Sequence, residues 1–276
     1  RAVAVQTSNA CILALDQTLS GAVSAQGSVA ANANGCSIYS DSSNATSSIS
    51  AGGGGTLSAS QIGAVGGFYG QSNMTAVNGF SHGGVLPDPY GYVKPPTMPA
   101  CVNLPNKLPA TLYPGAYCNG FTLNNSANVT MMPGVYYIDR GSLTVNGGAT
   151  LTGSGVTIVF TSSTGSNYAT AKFAGNANVN LSAMTSGPTA GIVLFGDRNM
   201  PVGTGYDLEG GSNLVLSGVV YLPKGAMNYA GGTSNTNGCT QIVADSISFV
   251  GNSTMALTCP SSFGVRKIGA IAQLVE

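Results

Sequence analysis

An apolar residue, a small polar turn and a second apolar residue six positions on recur along this chain. The clearest apolar pairs are Val145 with Leu151, Phe173 with Val179, Leu208 with Leu214 and Phe249 with Met255. Leu123 with Val129 is a fifth copy, turning through Asn125 and Ser126, and Val23 with Val29 and Ala51 with Leu57 are weaker ones. The second apolar positions (29, 57, 129, 151, 179, 214, 255) lie 28, 72, 22, 28, 35 and 41 residues apart. An interval near 22 suits one coil of a β-solenoid, in which short strands stack on their equivalents in the next coil. Longer intervals read as coils carrying a loop, and the interval of 72 as coils without the phrase plus a linker.

Between the phrases lie near-continuous apolar runs at 133–138, 155–160, 190–195, 218–222 and 241–244. Runs of this kind predict strands buried inside a stack or under a neighbouring element. Residues 11–70 alternate in shorter runs and read as the first coils, filled with Ala in place of larger residues. Most of the thirteen prolines (Pro87, Pro89, Pro95, Pro96, Pro99, Pro105, Pro109 and Pro114) then cluster together. Proline has no N–H for a ladder, so the stretch near 85–114 is expected to be an extended crossing that packs along the solenoid. The final residues, 260–276, are the best candidate for a C-terminal cap over an exposed strand edge. The expected architecture is a single all-β domain over 1–276, a right-handed parallel β-helix. Its hand is taken from the strong bias of parallel crossovers.

Composition narrows the function. Nine Lys and Arg against nine Asp and Glu in 276 residues give no net charge and no electrostatic footprint for nucleic acid or an anionic membrane. Low charge does not signal disorder here, because 43% of residues are hydrophobic and the mean hydropathy is positive. Six cysteines form three local pairs, Cys11 with Cys36, Cys101 with Cys118 and Cys239 with Cys259, at separations of 25, 17 and 20. Each separation is close to one coil, so each pair could staple neighbouring coils. Six cysteines allow fifteen pairings, which spacing alone does not resolve. Disulfides imply an extracytoplasmic location, in periplasm, on a surface or secreted. No run of 18 apolar residues exists, and the chain starts at Arg1, which reads as a processed product or an excised ectodomain. A membrane is expected to be reached only through a segment absent from this chain.

Candidate chemistry is thin. His82 is the only histidine and sits beside a glycine turn, which suits a loop better than a catalytic base. Asp207 and Glu209, near Asp197 and Arg198, could bind calcium or do acid–base work, but equally form a solvated loop. Asp139-Arg140 and Asp197-Arg198 each end an apolar run, which points to charges placed at one corner of successive coils. A single histidine leaves a Ser-His-Asp triad without a spare candidate, and Gly52-Gly-Gly-Gly55 has no following Lys and helix to cradle phosphate. No catalytic residue, metal or cofactor is therefore expected. The site residues named from the sequence are the six cysteines.

A specific resemblance runs through residues 11–259. Cys11-Ile-Leu-Ala-Leu-Asp16, Pro133-Gly-Val-Tyr136, Leu151-Thr-Gly-Ser-Gly-Val-Thr-Ile158, Asp197-Arg-Asn199 and Cys239-Thr-Gln-Ile-Val-Ala-Asp245 appear in an order similar to the C-terminal region of TadG-like proteins. Those proteins belong to the tight-adherence (Tad/Flp) pilus system of bacteria. The resemblance implies a non-enzymatic role in pilus assembly or surface adhesion, with envelope or pilus proteins, or a surface or glycan, as partners. It carries over no catalytic residues. The competing class is a carbohydrate-active β-helix, either a polysaccharide lyase or a glycan-binding module. An ice-binding solenoid is a third option, disfavoured by irregular Thr placement.

Overall fold

The computed structural model describes residues 9–211, 213–231, 238–259 and 261–268. The protein is all-β, and every pairing between its strands is parallel. The pairings form three faces around a common interior. On the first face the order is Gly115–Leu123, Gly134–Val145, Val156–Thr161, Ile192–Gly196, Leu214–Gly231 and Thr240–Phe249. It continues with Ala10–Ala14, Ala30–Ser40, Thr56–Ala64 and Met74–Phe80. Longer strands turn a corner at a register shift and serve a second face, as Gly134–Val145 does between Asp139 and Ser142.

The order of the levels is the main departure from expectation. Residues 11–70 are not the first coils. They stack above the C-terminal strands, because Ile12 pairs with Ile242 on one side and Ile38 on the other. One level is shared between the two parts of the chain. Ser253–Ala256 supplies its third face, and Ala10–Ala14 and Val23–Gln26 supply the other two. The stack thus runs 111 to 256 and then 10 to 80. A connection from its top back to its bottom is required, and the proline-rich segment provides it.

Both expected ladders are present. On the second face Leu123, Val145, Phe173, Leu208, Tyr229, Phe249, Ala25 and Ala51 lie in consecutive register, all essentially buried. On the third face Val129, Leu151, Val179 and Leu214 do the same, and Met255 opposes Ala33. These strands alternate, with Asn128 and Thr130 exposed and Val129 and Met131 buried. The first face does not alternate. Its inward column is Tyr136, Ile158, Leu194, Val220, Ile242, Ile12, Ile38 and Ile62. Its outward column is just as apolar: Tyr137, Val159, Phe195, Tyr221, Val243, Leu13 and Tyr39. A second hydrophobic cluster accounts for this, because Leu86, Tyr90 and Val93 of the proline-rich segment pack on that column.

All three local cysteine pairs are disulfides, Cys11–Cys36, Cys101–Cys118 and Cys239–Cys259. Within the segment expected to cap an end, residues 261–268 run beside the middle of the stack. The carbonyl of Ile268 accepts from the Ala10 N–H at 3.3 Å, and Gln241 Nε2 donates to the Arg266 carbonyl at 3.0 Å. Residues 269–276 lie outside the described residues.

Candidate functional site: the corner beneath the strap

Residues 81–110 form a strap that descends the first face from the level of Tyr39 to that of Tyr117. Tyr39 Oη donates to the Gly84 carbonyl at 2.6 Å, and the Leu86 N–H donates to Asp41 at 2.8 Å. Lower down, Tyr221 Oη donates to Asp88 at 2.6 Å, Tyr90 Oη donates to Gln241, and Tyr137 Oη donates to the Pro96 carbonyl. Val102 finally pairs with Tyr117, and the neighbouring Cys101–Cys118 bridge fastens the end. Few of the strap's own amides are tied into a ladder, as its prolines dictate, so side chains of the stack hold it.

Arg198 is the central fastening. Its three guanidinium nitrogens donate to Tyr221 Oη at 2.9 Å, the Val93 carbonyl at 2.8 Å and the Tyr90 carbonyl at 2.6 Å. The same group lies about 5 Å from the ring centres of Phe195 (5.2 Å) and Tyr221 (5.1 Å), within cation–π range. A planar, permanently charged fork suits this combination of stacking and divergent hydrogen bonds.

Arg198 also borders a cavity of about 260 Å³, where the strap crosses the corner between the first and second faces. Asp41, Asp88, Asp245 and Lys224 line it, with Leu86 and Pro223 as apolar walls. Burial pushes the Asp41 carboxyl up to about 7, partly offset by the Leu86 N–H it accepts. Burial, and then the charge of Asp16, raise Asp245 to about 6 against the pull of Lys224 and the Gly203 N–H. Burial, followed by Asp88, raises the Tyr221 hydroxyl, which therefore stays a donor. The corner can hold carboxyls in either protonation state near neutral pH, beside a fixed cation. That is acid–base capability in a small space.

The residues singled out in the sequence are not assembled there, apart from Arg198. Asp197 accepts from Thr161 Oγ1, and Asp139 accepts from the Ser163 N–H and Oγ at 2.7 and 2.8 Å. Asp139 and Asp197 do occupy the same corner, one on each side of Thr161. Arg140 pairs with Asp139 at 3.3 Å, whereas Arg198 turns to the strap. Asp207 accepts from Asn228 Nδ2 at 2.8 Å on the second face and forms no ligand group with Asp197 and Glu209. Among the described residues the one cluster of three potential ligands is Cys101, Cys118 and Asp139, and its sulfurs are bonded to each other. His82 lies exposed where the strap leaves the top strand, at φ 63° with Nδ1 3.0 Å from Ser81 Oγ.

Sequence reasoning did not single out Asp41, Asp88, Asp245 and Tyr221. One signal was available: Asp139 and Asp245 directly follow a first-face apolar run, and Asp41 and Asp197 follow one after a single small residue, Ser40 or Gly196. Stacked runs put such residues at one corner, but burial there depends on where the strap crosses. Among the described residues no helix is long and apolar enough to cross a membrane. No family model matches the chain, and no curated protein or solved structure is detectably similar to it.

Proposed function

We propose that the parallel stack is a right-handed β-helix and that it is the non-enzymatic, surface-presenting part of a Tad/Flp-type pilus or adhesion apparatus outside the cytoplasm. The hand follows the bias of parallel crossovers, and the location follows the three disulfides. The observation that carries the role is the contrast between a strapped face and an open one. The Thr placement that reads as irregular along the sequence is regular in space here: on the third face Thr111, Thr130, Thr152 and Asn180 form an outward column in register, flanked by Asn128, Thr150 and Asn178. Adjacent rows lie about 4.8 Å apart, so hydroxyl and amide groups make an uncharged grid suited to an extended partner. Charged steering is absent from this grid, which fits contact with a surface or a pilus protein better than capture of an ionic ligand.

The test is surface attachment and pilus display by cells carrying Thr130→Lys with Thr152→Lys. Attachment should fall about tenfold or more while the purified protein keeps its thermal midpoint, since both side chains point outward. Deletion of the gene with no effect on attachment or display would remove this reading.

The corner cavity favours a second reading, a carbohydrate-active module, because it places raised carboxyls beside Lys224 and Arg198. Incubation with pectin or alginate, with and without calcium, distinguishes the two. We expect no depolymerisation. Cleavage that disappears in Asp41→Asn and Asp245→Asn would replace the adhesion reading with this one.

A further inference from the structure

The two ends of the stack are finished differently. At the lower end the chain itself covers the first-face part of the edge of Gly115–Leu123 with a single bridge. Val102 donates its N–H to the Ala116 carbonyl and accepts from the Cys118 N–H, both at 2.9 Å. Leu104 and Leu108 pack against the interior beside it. At the upper end Met74–Phe80 pairs with Thr56–Ala64 alone, and among the described residues no strand lies on its other edge. Met74, Ala76 and Phe68 pack on the core but stay partly open, and Val77 is 84% exposed. A cavity of about 290 Å³ opens among Ile62, Phe68, Met74 and Phe80.

Exposed edges are normally guarded by lysine, proline or a covering loop, because their free N–H and C=O groups template pairing. Among the described residues this edge has none of these. Between Asp41 and Asp88 the sequence contains no Asp, Glu, Lys or Arg, and His82 is the sole titratable side chain apart from Tyr69. We propose that this end docks a second copy of the chain, edge to edge about a two-fold axis.

Charge identifies the occupant. Two copies of an uncharged end meet without like-charge repulsion and bury no unpaired ion, whereas a charged partner strand would lose solvation with nothing opposite to compensate. Symmetry gives the geometry. A two-fold axis sets the Met74–Phe80 edges antiparallel, so each supplies what the other lacks, and the half-open side chains become an interior. At the lower end Val102 occupies the first-face edge and Leu104 and Leu108 pack beside it, so the two ends do not match and growth stops at two copies. The proposal does not depend on the adhesion reading.

Sedimentation and light scattering on the purified chain between about 0.1 and 100 µM test it. We expect twice the chain mass at the upper concentrations and no larger species. Val77→Lys should weaken the dimer at least tenfold with an unchanged far-ultraviolet circular dichroism spectrum, and Tyr113→Lys, 66% exposed near the closed end, should leave it intact. Thr75→Lys, also exposed on the open strand, should act like Val77→Lys and serves if that variant misfolds. A monomer at every concentration overturns the proposal. So does a series of larger species, or a dimer broken by Tyr113→Lys and untouched by Val77→Lys and Thr75→Lys.

Discussion

The first and third faces share one backbone arrangement, parallel strands stacked in register, yet their side chains follow different rules. On the third face a buried residue alternates with an exposed Asn or Thr, as in Asn128–Met131. On the first face Val156–Thr161 is buried at five successive positions and half-buried at the last. The difference lies outside the sheet. A strap lying on the first face makes its outer column a second interior, so both sides of each strand must be apolar. Water touches the third face, so alternation returns.

The strongest way to break this comparison is Tyr221→Ala. Tyr221 is fully buried between Phe195 and Val243, carries Arg198 on its ring and donates to Asp88. Its loss should cost about 3–5 kcal/mol in urea unfolding, the range for truncating a buried aromatic. A cost below 1 kcal/mol would mean that the strap does not create an interior. Next comes the Cys101→Ala, Cys118→Ala double variant. By the closed-loop estimate, loss of the bridge across 17 residues costs about 2–4 kcal/mol. It should speed hydrogen exchange in the lower strap before that of the third face. Uniform acceleration everywhere would show that the strap and stack open as one unit.

The smallest effect sharpens the comparison through pH. Asp41 sits at about 7 in the folded protein, above the ordinary carboxylate value near 4. The folded state holds this proton more tightly than the unfolded chain does. Its contribution is therefore full below about pH 4 and is lost as pH rises through 7. Asp245, raised to about 6, acts in the same direction. Unfolding free energy should fall by about 2 kcal/mol between pH 5 and pH 8 on account of Asp41. Asp41→Asn keeps an acceptor for the Leu86 N–H and should flatten that slope. An unchanged slope in the variant would place the titration elsewhere.

The sequence revealed the elements more readily than their neighbours. The phrase ending at Leu151, Val179 and Leu214 marks the third-face ladder because each copy contains its own turn and its own buried residue. Tyr229 belongs to the second-face ladder between Leu208 and Phe249, but no phrase marks it, because the residue six positions on is Asn235 and not an apolar one. The order of levels was not legible. Nothing local to Ala10–Ala14 tells Ile12 that its partner is Ile242, since any apolar strand of the right length satisfies the ladder. The corner was hidden for a related reason. Asp41 and Asp88 are 47 positions apart, and only the path of the strap brings both to one cavity.

The shared level has a consequence for how the molecule comes into being. Ile12 must wait for Ile242, a partner 230 residues later, before one side of its strand is covered. During synthesis the early strands can stack upward on Ala30–Ser40, but their lower surface stays open until Thr240–Phe249 has emerged. Contacts that distant are slow to form and leave sticky surface exposed meanwhile. Assembly therefore finishes at the middle of the stack, where early and late strands meet, and an unfinished chain lacks the strands that complete that level.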